Sequence, residues 1–182
     1  MRYFIALDFD KQDRKRFHVL AKMLKAHSDK ARIVEEDHIH LTLAFLGEIN
    51  SEQVRQAKAV VNAIEAEAFT LEFDTVSYFE PRRGGRIFWI GPDANPALKR
   101  LHTHVRDALL GEGFALDERP FTPHVTLARG VHIHKEHAGD FKDAFETFVV
   151  PVPSVSLMVS TFKAGKLVYE TLAKKPLKQH SR

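Results

Sequence analysis

The chain has 182 residues, of which 44% are hydrophobic and 28% charged, a composition typical of one globular domain. It contains no cysteine, which excludes disulfides, thiolate nucleophiles and cysteine-ligated metal centres. No run approaches the ~18 apolar residues that span a bilayer. The apolar run at the N-terminus is interrupted by charged residues within the first ten positions, which makes it too short for a signal peptide. We therefore expect no membrane segment, no signal peptide and a cytoplasmic location. The formal net charge of +3 suits contacts with a few phosphate groups.

Apolar spacing predicts the elements of the first part of the chain. Alternating apolar and aromatic residues predict a strand over 2–8, and helical spacing predicts a helix from 11 to about 31. A strand over 37–46 is expected to end at Gly47. The next helix is expected to run from Ser51, its predicted N-cap, to about residue 67.

The rest of the chain alternates further strands and helices. The predicted elements are strands over 69–79 and 86–90, a helix over 96–111 capped by Asn95, a strand over 124–128, a short helix over 140–148, and strands over 155–162 and 167–172. Two hairpins and short strands argue against a purely parallel sheet. We predict an α+β fold of mainly antiparallel sheet with outer helices, as a single domain over residues 1–182.

An internal repeat is the most informative feature of the sequence. His40-Leu41-Thr42-Leu43-Ala44 returns as His124-Val125-Thr126-Leu127-Ala128, and the two histidines are 84 residues apart. Each copy lies on a β-like run that follows a helical segment. We therefore expect two pseudo-symmetric lobes that face each other across a central groove.

The spacing within each copy has a chemical consequence. Residues i and i+2 of a strand project from the same face, so each motif presents one imidazole and one hydroxyl to a common space. A neutral and a protonated imidazole can coexist near neutrality and act as general base and general acid. The hydroxyls of Thr42 and Thr126 can donate to phosphate oxygens. The pattern predicts phosphoryl transfer without a metal or other cofactor, catalysed by His40 and His124.

Arg129 directly follows the second motif, and its guanidinium suits a phosphate oxygen. In strict alternation, however, residue 129 lies on the face opposite to His124 and Thr126. Arg129 is therefore expected to reach the groove only if the strand ends or bends at Gly130.

The two motifs resemble those of the 2H phosphoesterase superfamily, and the wider sequence is similar to its RNA 2′,3′-cyclic phosphodiesterase branch, historically called 2′-5′ RNA ligases. The similarity covers nearly the whole chain. Its supporting segments are 2–8, 38–47, 119–124, 160–162, Gly165 and Tyr169.

The resemblance implies opening of a terminal 2′,3′-cyclic phosphate to a 2′-phosphomonoester. It also implies that His40 is the proton donor and His124 the proton acceptor, roles that the symmetric repeat alone leaves open. The implied partners are RNA ends or short oligonucleotides, with no membrane partner, and we expect a monomer.

Several other residues are candidates for contacts with RNA. Phe45 and Phe121 are aromatic residues near the motifs and could stack on a terminal base. His38 could line the edge of the groove. The basic turn over 82–86 and the basic C-terminal tail could attract the RNA backbone.

Three alternatives to hydrolysis remain open at this stage. The same site could join a cyclic end to a 5′-hydroxyl as a 2′-5′ RNA ligase, or the protein could bind RNA ends without catalysis. A metal site at His132, His134 and His137 is also conceivable, since imidazole suits zinc, copper and nickel. An exposed polar connection explains these three histidines better, because nothing in the sequence holds three nitrogens at one point.

Overall fold

A computed structural model describes residues 1–133 and 145–179 of the chain. Within these ranges, three α-helices and one short 3₁₀-helix accompany nine strands of a single sheet. The helices are α1 Lys11–Ala26, α2 Ser51–Asn62 and α3 Pro96–Gly111, and the 3₁₀-helix is Glu36–His38. The strands are β1 Arg2–Asp8, β2 Lys30–Ile33, β3 His40–Gly47, β4 Phe69–Phe79, β5 Arg86–Pro92, β6 Val125–His132, β7 Phe148–Val152, β8 Ser154–Lys163 and β9 Lys166–Pro176.

The two strands that carry the repeated motif meet at the centre of the sheet. The strand order is β7-β4-β5-β6-β3-β1-β8-β9, so three strands lie beyond β6 on one side and three lie beyond β3 on the other. The short strand β2 lies outside this order and pairs with β6. All of these pairings are antiparallel. The predicted α+β class with mainly antiparallel sheet is confirmed.

The apolar core brings together one face of the sheet and the helices. Each helix contributes residues at helical spacing, such as Phe17 and Leu24 of α1, Val61 of α2 and Val105 of α3. These side chains are fully buried with the core residues of the strands. The helices therefore cover the apolar face, and the motif histidines project from the other face of their strands.

The segment after α1 differs from the prediction. The helix ends at Ala26 instead of residue 31, and the His27 ring donates from Nδ1 to the Met23 carbonyl, 2.8 Å away. Residues 30–33 form the unpredicted strand β2, which pairs with β6. Residues 37 and 38 belong to the 3₁₀-helix, so β3 begins only at His40.

Two further elements need correction. Asn50, and not Ser51, caps α2 in a reciprocal capping box with Gln53, and the helix ends at Asn62 instead of residue 67. Of the helix predicted over 140–148, residues 140–144 lie outside the described ranges, and Phe148 begins strand β7. Its valine-rich run suits a strand, and Pro151 is tolerated because β7 lies at the edge of the sheet.

The turn and cap predictions in the remaining chain are confirmed. β4 and β5 form a hairpin, and Gly84 and Gly85 adopt positive φ angles of 95° and 79° in its turn. Asn95 caps α3 by accepting from the Leu98 amide, and Pro96 is its first residue. β6 extends beyond the predicted residue 128 to His132.

Candidate active site

The structure brings the four motif side chains together where β3 meets β6. Leu41 and Val125 are register partners in the antiparallel pair, so His40 lies across from Thr126 and Thr42 across from His124. Leu41 and Val125 are completely buried and point into the core. The two histidines and two threonines therefore share the opposite face, with each histidine beside the threonine of the other motif.

Both imidazoles are held in the same way by the backbone that precedes them. Nδ1 of His40 donates to the His38 carbonyl at 2.6 Å, and Nδ1 of His124 donates to the Thr122 carbonyl at 2.7 Å. A carbonyl oxygen only accepts hydrogen bonds, so Nδ1 carries the proton in each neutral ring. Nε2 of each ring is left with its lone pair for proton transfer.

Aromatic side chains surround each imidazole. The His40 ring lies 4.9 Å from Phe4 and 5.4 Å from Tyr169, measured between ring centroids. The His124 ring lies 5.0 Å from Phe79 and 5.8 Å from Trp89. Both imidazoles are thus partly removed from water by rings that offer them no compensating charge.

This environment favours the neutral form of both histidines. Burial lowers the pKa of His40 from 6.5 to about 4, although the bond to the His38 carbonyl opposes the shift. The positive charges of Arg129, His124 and His38 lower this pKa further. Burial also lowers the pKa of His124. The hydrogen bond to the Thr122 carbonyl raises this pKa, and the positive charge of Arg129 lowers it further. An anion bound between the rings would reverse these effects.

Arg129 lies on the groove face, contrary to strict alternation along β6. Trp89 pairs with Thr126 and the preceding residue Phe88 pairs with Ala128, so Leu127 is an extra residue in β6. This bulge places both Leu127 and Ala128 in the core, and Arg129 then projects from the same face as Thr126. Strand β6 does not end at Gly130, although both of its ladders shift register around this glycine, whose φ is 62°. The sequence prediction missed the earlier bulge at Leu127, which already turns Arg129 to the groove face.

The first motif contains the same bulge. Ala6 pairs with Thr42 and Ile5 with Ala44, so Leu43 is the extra residue in β3. Phe45 consequently projects from the groove face, beside its register partner Phe4, and is 54% exposed. Phe45 after the first motif and Arg129 after the second therefore occupy corresponding positions, each five residues beyond the motif histidine.

Phe121 lies elsewhere. Its ring stacks on His102 of α3, with centroids 3.8 Å apart and planes 3° apart, and it packs against the core. This packing accounts for Phe121 without a substrate contact.

A cavity of about 180 Å³ opens beside His40. His40, Thr126 and Arg129 line this cavity. The other lining residues come from β2, the segment that leads from β2 through the 3₁₀-helix, and β9; they are Arg32, Ile33, Val34, Glu35, His38, Leu167 and Tyr169. His38 thus lines the groove as considered, and its ring lies 4.5 Å from that of Tyr169. Arg32 was not a candidate from the sequence, which predicts no strand between the end of the first helix at about residue 31 and the strand over 37–46.

None of the remaining basic and metal-binding candidates within residues 1–133 and 145–179 lines the cavity beside His40. Lys174 pairs with Asp8, and Lys175 and Lys178 both pair with Glu65, which leaves these lysines of the tail neutralised. His132 lines a separate cleft with Gly85 and Arg86, while His134 and His137 lie outside the described residues. Across 1–133 and 145–179, no three metal-binding side chains lie close enough to hold an ion.

In the part of the chain that is described, no helix is long and apolar enough to cross a membrane.

Known proteins are similar to this chain in sequence and in fold. A Thermotoga maritima protein named RNA 2′,3′-cyclic phosphodiesterase is 27% identical over 167 residues, which cover 90% of this chain and 84% of that protein. An Archaeoglobus fulgidus protein of the same name is 31% identical over 129 residues, or 71% of this chain and 72% of its own. The crystal structure of E. coli LigT complexed with 3′-AMP matches with a TM-score of 0.79 at 26% identity, covering 98% of both chains. Residues 10–162 match the 2′-5′ RNA ligase superfamily, and the chain belongs to that family.

Proposed function

We propose that this protein hydrolyses the terminal 2′,3′-cyclic phosphate of an RNA to a 2′-phosphomonoester, with His40 and His124 as a general acid–base pair. The observation that carries this proposal is the cross-strand arrangement at Leu41 and Val125, which sets each imidazole beside the threonine of the other motif. Both rings are anchored through Nδ1. The names of the relatives support the same chemistry.

The reaction requires one neutral and one protonated imidazole. The neutral ring takes a proton from water through Nε2 as the water oxygen attacks phosphorus. The bond between phosphorus and the 3′ oxygen breaks, and the protonated ring gives its proton to that oxygen. The products are a 2′-phosphate and a 3′-hydroxyl. Following the family resemblance, we assign the donor role to His40 and the acceptor role to His124.

Substrate charge explains how a proton reaches this buried pair. Without ligand, burial and Arg129 hold the pKa values of both rings below their usual range. A cyclic phosphate carries one negative charge, and its presence between the rings favours their protonated forms. The substrate therefore helps to create the acid that the reaction uses. In this scheme, a neutral competitor of the same shape binds without raising the pKa of either imidazole.

The other groove residues have distinct roles in the proposal. Thr42 and Thr126 donate hydroxyl hydrogen bonds to the non-bridging phosphate oxygens, and Arg129 offsets the negative charge that develops there. Phe45 offers its exposed ring for stacking by the terminal base. The corresponding positions 45 and 129 thus give the pseudo-symmetric groove an apolar end and a charged end, which sets the direction of the bound RNA.

Product analysis tests the proposal. A short RNA that ends in a 2′,3′-cyclic phosphate is incubated with purified protein, and the position of the phosphate in the product is determined by ³¹P NMR. We expect a 2′-phosphate from the wild type and none from His124→Ala. A 3′-phosphate, or an unchanged cyclic end with folded wild type at high concentration, would overturn the proposal.

A further inference from the structure

Two arginines face each other on the groove side of β2 and β6. Arg32 and Arg129 are register partners in this antiparallel pair, so their side chains project from the same face. Both are exposed, and both line the cavity beside His40. The Arg32 guanidinium also packs close to Gly130, because the position of a β-carbon at that glycine is 3.7 Å from its Nε. Arg32 thus lies directly beside the charged end of the groove.

Nothing in the described ranges neutralises this pair. Like charges directly across a strand pair destabilise a sheet. Among the described residues, five arginines hold a carboxylate within 4.0 Å, whereas Arg2, Arg82, Arg83, Arg100 and Arg106 do not; the paired ones are Arg14, Arg16, Arg55, Arg86 and Arg119. Within residues 1–133 and 145–179, neither Arg32 nor Arg129 forms such a pair, although Glu35 lines the same cavity. Arg32 and Arg129 differ from the other unpaired arginines because they face each other at the cavity beside His40, where a bound anion would offset both charges.

We assign the two arginines to different anions because they lie on different strands. Arg129 follows Thr126 on the same face of β6, and its charge lowers the pKa of both His40 and His124, so we assign it to the phosphate held between the two rings. Arg32 lies on the neighbouring strand β2. The charge of Arg32 is not among the causes that shift either ring. Leu167 and Tyr169 line the same cavity and provide apolar and aromatic surface for the terminal nucleoside.

We propose that Arg32 binds a second phosphate, the phosphodiester that joins the terminal nucleotide to the one before it. This proposal rests on the proposed function. An RNA with a cyclic phosphate at its 3′ end has all of its other phosphates on the 5′ side of the terminal ribose. A planar guanidinium can hold two oxygens of that diester at once. The protein therefore discriminates oligonucleotide ends from cyclic mononucleotides, which lack this group.

The test compares two substrates that differ by the second phosphate. They are 2′,3′-cyclic AMP and the dinucleotide ApA with a 2′,3′-cyclic end. We expect Arg32→Gln to lower kcat/KM about tenfold for the dinucleotide and less than twofold for the mononucleotide, while Arg32→Lys retains most activity. For the dinucleotide, the slope of log kcat/KM against log salt concentration should become less negative by about 0.7 in Arg32→Gln, the value for one phosphate contact with a single strand. Arg55→Gln on α2 is the matched control, because Arg55 is also exposed but is paired with Glu52.

Each outcome separates this proposal from the proposed function. An equal loss on both substrates would place Arg32 at the terminal nucleotide itself, and no loss on the dinucleotide would remove it from the binding site. Either result overturns the second-phosphate site. If the wild type opens neither substrate, the proposed function fails. The second-phosphate site is then tested by calorimetry, which measures the affinity of wild type and Arg32→Gln for ApA with a 2′-phosphate. An affinity that is unchanged in Arg32→Gln overturns the site, and a tenfold loss of affinity supports it.

Discussion

Burial of the His40 imidazole makes the stability of the fold depend on pH. The pKa of His40 is about 4 in the folded protein and about 6.5 in an unfolded chain, because burial disfavours the charged ring. The fold therefore favours the neutral form. This contribution to stability is complete above pH 6.5 and is lost as the pH falls toward 4. At 1.36 kcal/mol per pH unit, His40 accounts for a loss of about 2 kcal/mol at pH 5 and about 3 kcal/mol at pH 4.

The variant His40→Asn isolates this contribution. Asparagine keeps an N–H donor near the position of Nδ1, so the bond to the His38 carbonyl can be retained while the titrating ring is removed. Urea unfolding at a series of pH values gives the free energy of unfolding of the wild type and the variant. We expect the wild type to lose about 2 kcal/mol more than His40→Asn between pH 7.5 and pH 5.

A control variant removes a histidine that is exposed. His104 lies on the exposed face of α3, so His104→Asn shows the effect of losing one surface histidine. It should follow the wild-type pH dependence. If His40→Asn also follows the wild type between pH 7.5 and pH 5, the imidazole is not desolvated in the groove and the reasoning on proton uptake from substrate is wrong.

Further predictions concern catalysis. His40→Ala and His124→Ala should each lower kcat at least ~10²-fold with a native circular dichroism spectrum, because each removes a proton carrier; near-normal kcat in a folded variant would exclude the two-histidine mechanism. Thr42→Ala and Thr126→Ala should lower kcat/KM roughly tenfold, because each removes one hydroxyl donor; a loss as large as that of the histidine variants would show that the hydroxyl has a larger role. Arg129→Gln should raise the pKa of both imidazoles in an NMR titration, because its charge lowers both; unchanged values would place Arg129 outside the groove.

The motif pair could be predicted from sequence because its information is local. His40 and Thr42 are two residues apart on one strand, and the repeat at His124 and Thr126 shows that the pattern is not an accident. The structure adds that the two copies meet at a single register contact between β3 and β6. Strand alternation was sufficient to place these four side chains on one face.

The residues that sequence reasoning misplaced depend on pairing between distant segments. Arg129 reaches the groove because of the bulge at Leu127. This bulge is defined by how β6 pairs with β5, and the sequence of β6 alone does not predict it. Arg32 lies on a four-residue strand whose ladder partner is β6, almost a hundred positions later in the chain. Local periodicity carries no signal for contacts of this kind, and the same holds for Tyr169 beside His40.

The pH dependence of kcat/KM tests most directly the central claim that His40 and His124 act as one protonated and one neutral imidazole. This parameter reports the ionisation of the free enzyme. Since the pKa values of both rings are lowered by burial, we expect a bell-shaped profile for the wild type whose maximum lies below pH 6.5. Above the upper pKa, kcat/KM should fall about tenfold per pH unit, because no protonated ring remains. A profile that stays flat from about pH 5 to about pH 9, with chemistry shown to limit the rate, would contradict acid–base catalysis by the two imidazoles.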